Sequence, residues 1–276
     1  MSRTQPLPVI LSVAGSDSSG GAGIQADLKA VSANGGYGAT ALTALTAQNT
    51  TGVTGVVPVS PEFVAQQMRA VFDDLDVAAV KTGMLGDATL IETVAGELSR
   101  WSAGPVVVDP VMVATSGALL LPEEAVACLR EVLLPLATVL TPNRHEAEVL
   151  TGARIQSEED AAEAARRLVQ LGAGAALVKG GHSDDPSVVV DVLWDGAQLH
   201  RWTNPRLNTP HTHGTGCTLS SAIATQLGRG LTLPEAITEA RAYLQGAIAQ
   251  GLAIGAGHGP TDHFWWMDRG RRFSAE

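Results

Sequence analysis

Short apolar runs recur along this chain, and each ends in a glycine or a polar residue. Val9-Ile10-Leu11-Ser12-Val13-Ala14 is the first, and it leads into Gly15-Ser16-Asp17-Ser18-Ser19-Gly20-Gly21-Ala22-Gly23. Ile24, Leu28 and Val31 then fall at helical spacing. An apolar run bounded in this way fits a buried strand, and strand, glycine loop, helix is the opening of a parallel α/β unit. The pattern returns at Val77–Lys81 before a helix from Ala88 to about Trp101, and at Pro105–Asp109 before a helix from Pro122 to Leu134. It returns again at Ala137–Thr141, where Pro142-Asn143-Arg144-His145-Glu146 opens a helix, and at Ala175–Lys179. Between these last two, Ser157-Glu158-Glu159-Asp160 makes an N-cap and acidic first turn for a helix reaching Leu171. The expected fold is α/β, a mostly parallel central sheet with helices on both faces. In such sheets ligands sit beyond the C-terminal ends of the strands.

The remaining stretches fit around that frame. Ala39–Ala47 and Val53–Val59 read as short strands joined by a turn at Gln48-Asn49-Thr50-Thr51-Gly52, which is also the candidate lid. Pro61 begins a helix with Phe63, Val64, Met68, Val71 and Phe72 on its apolar face. Val188–Trp194 and Leu199–Trp202 read as a hairpin turning at Asp195-Gly196, and two helices, about Thr218–Gly228 and Pro234–Gly251, end the fold. Cys128 fits an apolar helical stripe and reads as core. With no repeat or linker in view, residues 1–276 read as one domain, with 1–7 and 267–276 as peripheral tails.

Composition narrows the function. Hydrophobic content of 45% with 17% charged residues fits a soluble globular chain, and no apolar run reaches the roughly 20 residues of a membrane span. A net charge of -10 without a basic cluster argues against nucleic acid as a partner. Two cysteines make a disulfide framework improbable on its face, and Met1–Pro8 lack the order of a secretion signal, so the expected location is the cytoplasm.

The chemistry gathers at His213-Gly214-Thr215-Gly216-Cys217-Thr218. Two glycines one residue apart allow a tight turn and close backbone approach, and the small residues that follow run into a helix. Such a junction aims backbone N–H groups and the positive helix end at one point, which suits a phosphate; a plain loop or cap is the other reading. Cys217 is the side chain at that point, a potential acid or base. Gly15, Asp17, Lys81, Asp109, Asn143, Glu146 and Lys179 all fall at strand ends, so they converge with this cradle on a phosphate-handling site. No GxxxxGK[ST] sequence occurs, which excludes a Walker-type loop. His182 and His213 lack zinc-ligand spacing and read as loop or nucleotide-pocket residues, while His258 and His263 read as closing the fold.

These residues resemble a known family. AGSDSSGGAGIQADLK (Ala14–Lys29), TALTAQNT (Thr43–Thr50), KTGML (Lys81–Leu85), DPVM (Asp109–Met112), TPNxxEA (Thr141–Ala147), VKGGH (Val178–His182), HGTGCTLSSA (His213–Ala222) and GHGPTDHF (Gly257–Phe264) run in that order from about residue 8 to residue 266. The combination is similar to the hydroxymethylpyrimidine/phosphomethylpyrimidine kinases of thiamine biosynthesis, members of the ribokinase-like superfamily. The resemblance implies a three-layer ribokinase-like sandwich, ATP and Mg²⁺ as cofactors, a homodimer, and two successive phosphorylations of 4-amino-5-hydroxymethyl-2-methylpyrimidine.

It also implies roles. The N–H groups of Gly214, Thr215, Gly216 and Cys217 hold the transferring phosphoryl group, and Cys217 is the base, its thiol lowered by the helix N-terminus. Lys179 reaches the donor phosphates. Asn143 and Glu146 lie near Mg²⁺ and the phosphates, with Asp109 shaping the metal region. Gly15, Asp17, Ala22, Thr46, Gln48, Met84 and Val111 surround the pyrimidine. Gln48 both donates to and accepts from the aminopyrimidine edge, and Asp17 is an acceptor. Thr46 stands where the family suggests an apolar residue such as valine. Three alternatives stay open: a pyridoxal or pyridoxine kinase, a non-catalytic pyrimidine sensor, and a sugar kinase, which Cys217 in the base position disfavours.

Overall fold

The protein is described here by a computed structural model covering residues 7–112, 121–181 and 187–267. Strand β1 (Val9–Ala14) lies inside an eight-stranded sheet, between β2 (Tyr37–Leu42) and β5 (Val77–Thr82) and parallel to both. Beyond β5 come β6 (Val106–Val108), β7 (Val139–Leu140) and β8 (Ala176–Gly181), all parallel. The hairpin of β9 (Val188–Trp194) and β10 (Leu199–Pro205) ends the sheet antiparallel, as its Asp-Gly turn predicts. A separate two-stranded flap, β3 (Ala44–Asn49) and β4 (Gly52–Pro58), stands outside the sheet.

The apolar runs are continuous because both sheet faces are covered. Val106 and Val108 pack on one side and Val107 on the other; in β1, Leu11 and Val13 oppose Ile10. On the first side lie α2 (Pro61–Phe72), α3 (Ala88–Arg100), α4 (Glu123–Cys128), α5 (Arg144–Thr151) and α6 (Glu158–Gln170). On the second lie α1 (Gly23–Ala33), α7 (Thr215–Gly228) and α8 (Leu233–Ala249). Burying one aliphatic side chain such as Leu140 or Ile91, both fully buried, stabilises the fold by about 1.5–3 kcal/mol.

The connection order creates the site. The chain steps from β1 to β2 on one side, then returns to place β5 on the other side of β1. Helices α1 and α2 lie on opposite faces, so a crevice is left beyond the C-terminal ends of β1 and β5.

Three local expectations change. Ala39–Ala47 is not one strand: the ladder with β1 stops at Leu42, Thr43 N–H turns back to Ala14 O, and Ala44 starts the flap. Gln48 and Asn49 belong to β3 rather than to a turn, leaving Thr50-Thr51 as the reversal. The helix expected over Pro122–Leu134 is α4 followed by a π-type turn at Leu129–Leu133 and a short 3₁₀ turn. Cys128 is half-buried against this core. His182 and most of the expected tails lie outside the described residues.

Candidate active site

A cavity of about 500 Å³ opens at this crevice. Its walls are the strand ends at Gly15, Lys81, Asp109 and Lys179, the first turns of α1 and α7, and the inner side of β3. Helices α2, α3, α5 and α6 are each capped by a side chain, from Ser60, Asp87, Asn143 and Ser157. Helices α1 and α7, which point at the cavity, have no side-chain cap. The N–H groups of Gly216 and Cys217 in the first turn of α7 have no intrahelical acceptor and are free to meet an anion. Gly214, the N-cap of α7, adopts φ 80°, a left-handed conformation natural to glycine.

Cys217 follows inside that turn and lines the cavity. The expected lowering of its thiol is not found. Burial pushes it up to about 11, against the pull of the Lys81 ammonium and a hydrogen bond from Gly23 N–H. The helix N-terminus is legible in the sequence, but the burial and the nearby Asp27 and Asp109 carboxylates that raise the thiol are not.

Beside the cradle, against Gly216, lies a charged group. Lys179 Nζ is 3.1 Å from Asp109 Oδ1, and Ser220 Oγ donates to Asp109 Oδ2 at 3.3 Å. Burial works against the Lys179 ammonium, but the Asp109 and Glu146 carboxylates outweigh it and raise its pKa. Asn143 and Glu146 form a reciprocal capping box, with Asn143 Oδ1 accepting from Glu146 N at 2.9 Å and Glu146 Oε2 accepting from Asn143 N at 2.8 Å. Both also line the cavity, so the structural and the site reading hold together. Burial raises the Glu146 carboxyl to about 7, with Lys179 opposing and Asp109 adding to the rise. Among the described residues no group of three or more His, Cys, Asp or Glu is gathered as a metal cage. Two buried carboxylates fit Mg²⁺ nonetheless, because it binds through one or two carboxylates and keeps waters.

The same cavity carries the residues expected at the pyrimidine, apart from Asp17. Thr46, Gln48, Met84, Val111, Gly15 and Ala22 meet there. Thr46 Oγ1 donates to Ser16 O at 2.8 Å, which satisfies the hydroxyl where an apolar residue was expected. A Cβ on Gly15 would lie 2.4 Å from Met84 Cε, so a side chain there would push the Met84 methyl out of its present place in this wall. The turn expected to act as a lid is held down, with His258 N–H donating to Thr50 O at 3.0 Å.

Asp17 is corrected. It is 1% exposed, does not line the cavity, and gives its oxygens to Ser19, Gly21, Ala22 and His213 rather than to a ligand. Sequence reasoning also missed partners. Asp27 pairs with Lys81 under the cradle, and its position on the buried face between Ile24 and Val31 was a signal. Asp191, an aspartate inside an apolar strand, accepts from Arg241 Nε at 2.7 Å and from Gly180 N at 2.6 Å, bracing the backbone beside Lys179. His263 Nε2 lies 3.0 Å from Thr218 Oγ1, below the first turn of α7.

An α/β sheet with an uncapped helix N-terminus, a lysine and two carboxylates facing one cavity defines an enzyme that handles phosphoryl groups without a Walker loop. Residues 17–262 match the family model described as phosphomethylpyrimidine kinase, and the chain belongs to that family. It is 53% identical to the hydroxymethylpyrimidine/phosphomethylpyrimidine kinase of Rhizobium meliloti, covering 94% of this chain and 99% of that one. It is 54% identical to the thiamine biosynthesis bifunctional protein ThiED of Geobacter sulfurreducens, over 95% of this chain and only 54% of that longer protein. Among solved structures, an ADP complex of Bacillus subtilis pyridoxal kinase superimposes with a TM-score of 0.86 at 38% identity, covering 94% of this chain and 98% of that one. The ribokinase-like architecture is therefore established.

Proposed function

We infer that this chain uses ATP to phosphorylate 4-amino-5-hydroxymethyl-2-methylpyrimidine and then its monophosphate, the kinase step of thiamine biosynthesis. The observation that carries the reading is that one cavity joins the uncapped α7 N-terminus at Cys217 to the wall formed by Gln48 and Met84. Family membership supports the activity, and the ADP complex of the Bacillus pyridoxal kinase supports adenine nucleotide as the donor.

In this mechanism the chain contributes positioning and charge, since phosphoryl transfer asks little covalent work of the protein. The Gln48 amide matches the donor and acceptor edge of the aminopyrimidine, and Met84 and Val111 pack on the ring. The hydroxymethyl group is thereby turned toward the first turn of α7. There the N–H groups of Gly214, Gly216 and Cys217 stabilise negative charge as it moves onto the transferred group, while Thr215 N–H, expected to join them, is turned to Thr212 O at 3.3 Å. Cys217 takes the hydroxyl proton in its thiolate form, which Lys81 and Gly23 N–H favour against burial. Lys179 neutralises donor phosphate charge, and Asn143 helps hold the phosphates. Glu146 and Asp109 would hold Mg²⁺, which supplies charge neutralisation between the phosphates. A homodimer, implied by the family resemblance, a single domain, read from the lack of repeats and linkers, and a cytoplasmic location, read from the cysteine usage and N-terminus, complete the reading.

Substrate preference tests the reading. With ATP and Mg²⁺, kcat/KM for the hydroxymethylpyrimidine should exceed that for pyridoxal by about tenfold or more, as expected when buried polar groups match one ring and not the other. A reversed ratio would move the chain to the vitamin B6 branch. Binding of the pyrimidine without turnover would make it a sensor.

A further inference from the structure

The two glycine loops at the cradle lie at opposite ends of the chain and touch in space. A Cβ on Gly214 would lie 1.8 Å from Gly21 O, and one on Gly21 would lie 2.3 Å from His213 Cδ2. The backbone before α1 and the N-cap of α7 thus come into close contact at Gly21 and Gly214, with the His213 side chain packed against Gly21. Both are positive dipole ends, so their approach is electrostatically unfavourable unless a negative group joins them.

Asp17 is that group. Its Oδ2 accepts from His213 Nε2 at 2.7 Å, Ala22 N at 2.8 Å and Gly21 N at 3.1 Å. Its Oδ1 accepts from Ser19 N at 2.9 Å and Ser19 Oγ at 2.8 Å. Burial raises the carboxyl, but the hydrogen bonds from His213, Ser19 and Ala22 prevail and hold it down at about 2. One ionised carboxylate therefore organises the loop before α1 and grips the residue that precedes the N-cap of α7. His213 is fixed from behind, its N–H donating to Gly259 O at 3.1 Å. The geometry reaches the reacting end of the site, because Gly23 at the start of α1 and Cys217 in the first turn of α7 line the same cavity.

We propose that Asp17 and His213 form a positioning clasp, a buried carboxylate–imidazole pair that fixes the N-termini of α1 and α7 against each other so that both bear on one point beside Cys217. The proposal rests on the kinase reading of the cavity for its effect on turnover, but not for its effect on the thiol. The pair acts through the two backbones rather than by touching substrate, and the clasp replaces the substrate-binding role expected for Asp17.

The test uses the full chain with His213→Leu, His213→Gln and Asp17→Asn. Glutamine can return an N–H donor near the place of Nε2, whereas leucine cannot. Three readouts are taken: kcat and KM with the pyrimidine, melting temperature, and the rate at which iodoacetamide labels Cys217 in the ligand-free protein, read by peptide mass. His213→Leu and Asp17→Asn should lower kcat by about 100-fold, the cost of a displacement near 1 Å, with KM for the pyrimidine changed by less than about threefold. Labelling of Cys217 should change by about threefold or more in both, since the placement of α1 beside the first turn of α7 depends on the clasp, and His213→Gln should restore most of both properties. Wild-type kcat and labelling in folded His213→Leu would overturn the clasp. So would a glutamine variant no better than leucine, with losses that track melting temperature alone. If Leu and Asn variants fail to fold, His213→Gln decides: turnover or labelling far from wild type would count against a hydrogen-bonded clasp. If the wild type itself does not phosphorylate the pyrimidine, the function reading fails, while unchanged labelling in the variants remains the result that defeats the clasp.

Discussion

Lys81 Nζ lies 2.9 Å from both carboxylate oxygens of Asp27, and neither side chain is exposed at all. Asp27 is further held by Ser12 Oγ at 2.6 Å and Ser221 Oγ at 2.8 Å, so β1, β5, α1 and α7 share one carboxylate. Burial opposes the Lys81 charge, yet the Asp27, Cys217 and Asp109 negative charges outweigh it and raise its pKa. Removing one member of such a pair leaves an uncompensated buried charge. Lys81→Met should therefore destabilise the protein by about 3–5 kcal/mol in urea unfolding. Adding Asp27→Asn should recover at least half of that loss, because the serines keep an acceptor. An unchanged unfolding midpoint in Lys81→Met would contradict the pairing.

Glu146 predicts a pH effect of definite sign. Its carboxyl is raised from an ordinary 4.5 to about 7, so the folded state binds this proton more tightly than the unfolded state. Through this group the ligand-free protein loses stability as pH rises from 4.5 to about 7, and the loss is complete above that. Glu146→Gln should flatten that slope. Mg²⁺ should raise the melting temperature of the wild type more above the transition than below it, and this gain should shrink in Glu146→Gln. A Mg²⁺ effect independent of pH and of Glu146 would remove this residue from the metal site.

The thiols offer a direct chemical check. With Cys217 raised from an ordinary 9.0 to about 11, its thiolate fraction near neutrality falls about 100-fold. Iodoacetamide should therefore label Cys217 slowly near neutral pH, and the rate should climb steadily up to about pH 11. Labelling faster than a simple thiol would restore the sequence expectation of an activated cysteine.

Gly214→Ala tests the contact of the two loops. The left-handed backbone at φ 80° strains any Cβ, and the backbone oxygen of Gly21 stands in its place. The variant should lose about 2 kcal/mol of stability or more and about tenfold or more in kcat. Ordinary stability and turnover would mean that the loops separate without consequence.

Much of the frame was legible because burial on both faces writes itself as unbroken apolar runs: Val106-Val107-Val108 can serve no other end. The candidate residues at the strand ends were legible for the same reason, since Asp109, Asn143 and Lys179 interrupt those runs at one edge of the sheet. What escaped depends on contacts between distant segments. The sequence around Thr43 holds no glycine or proline to announce that the strand leaves the sheet; Thr43 N–H bonding to Ala14 O decides it. Asp17 reads as a ligand in a glycine loop until His213 is seen to occupy it. The helix N-terminus at Cys217 is local and was readable, but the burial and the Asp27 and Asp109 charges that raise its thiol come from distant segments.

The most direct measurement is product mass with ATP, Mg²⁺ and hydroxymethylpyrimidine, comparing the wild type with Cys217→Ala. The account predicts a monophosphate followed by a diphosphate, both slowed in the variant by about 10²- to 10⁴-fold, the usual contribution of a positioned base. Wild-type rates in Cys217→Ala would contradict Cys217 as the base, and no phosphorylated pyrimidine from the wild type would contradict the function itself.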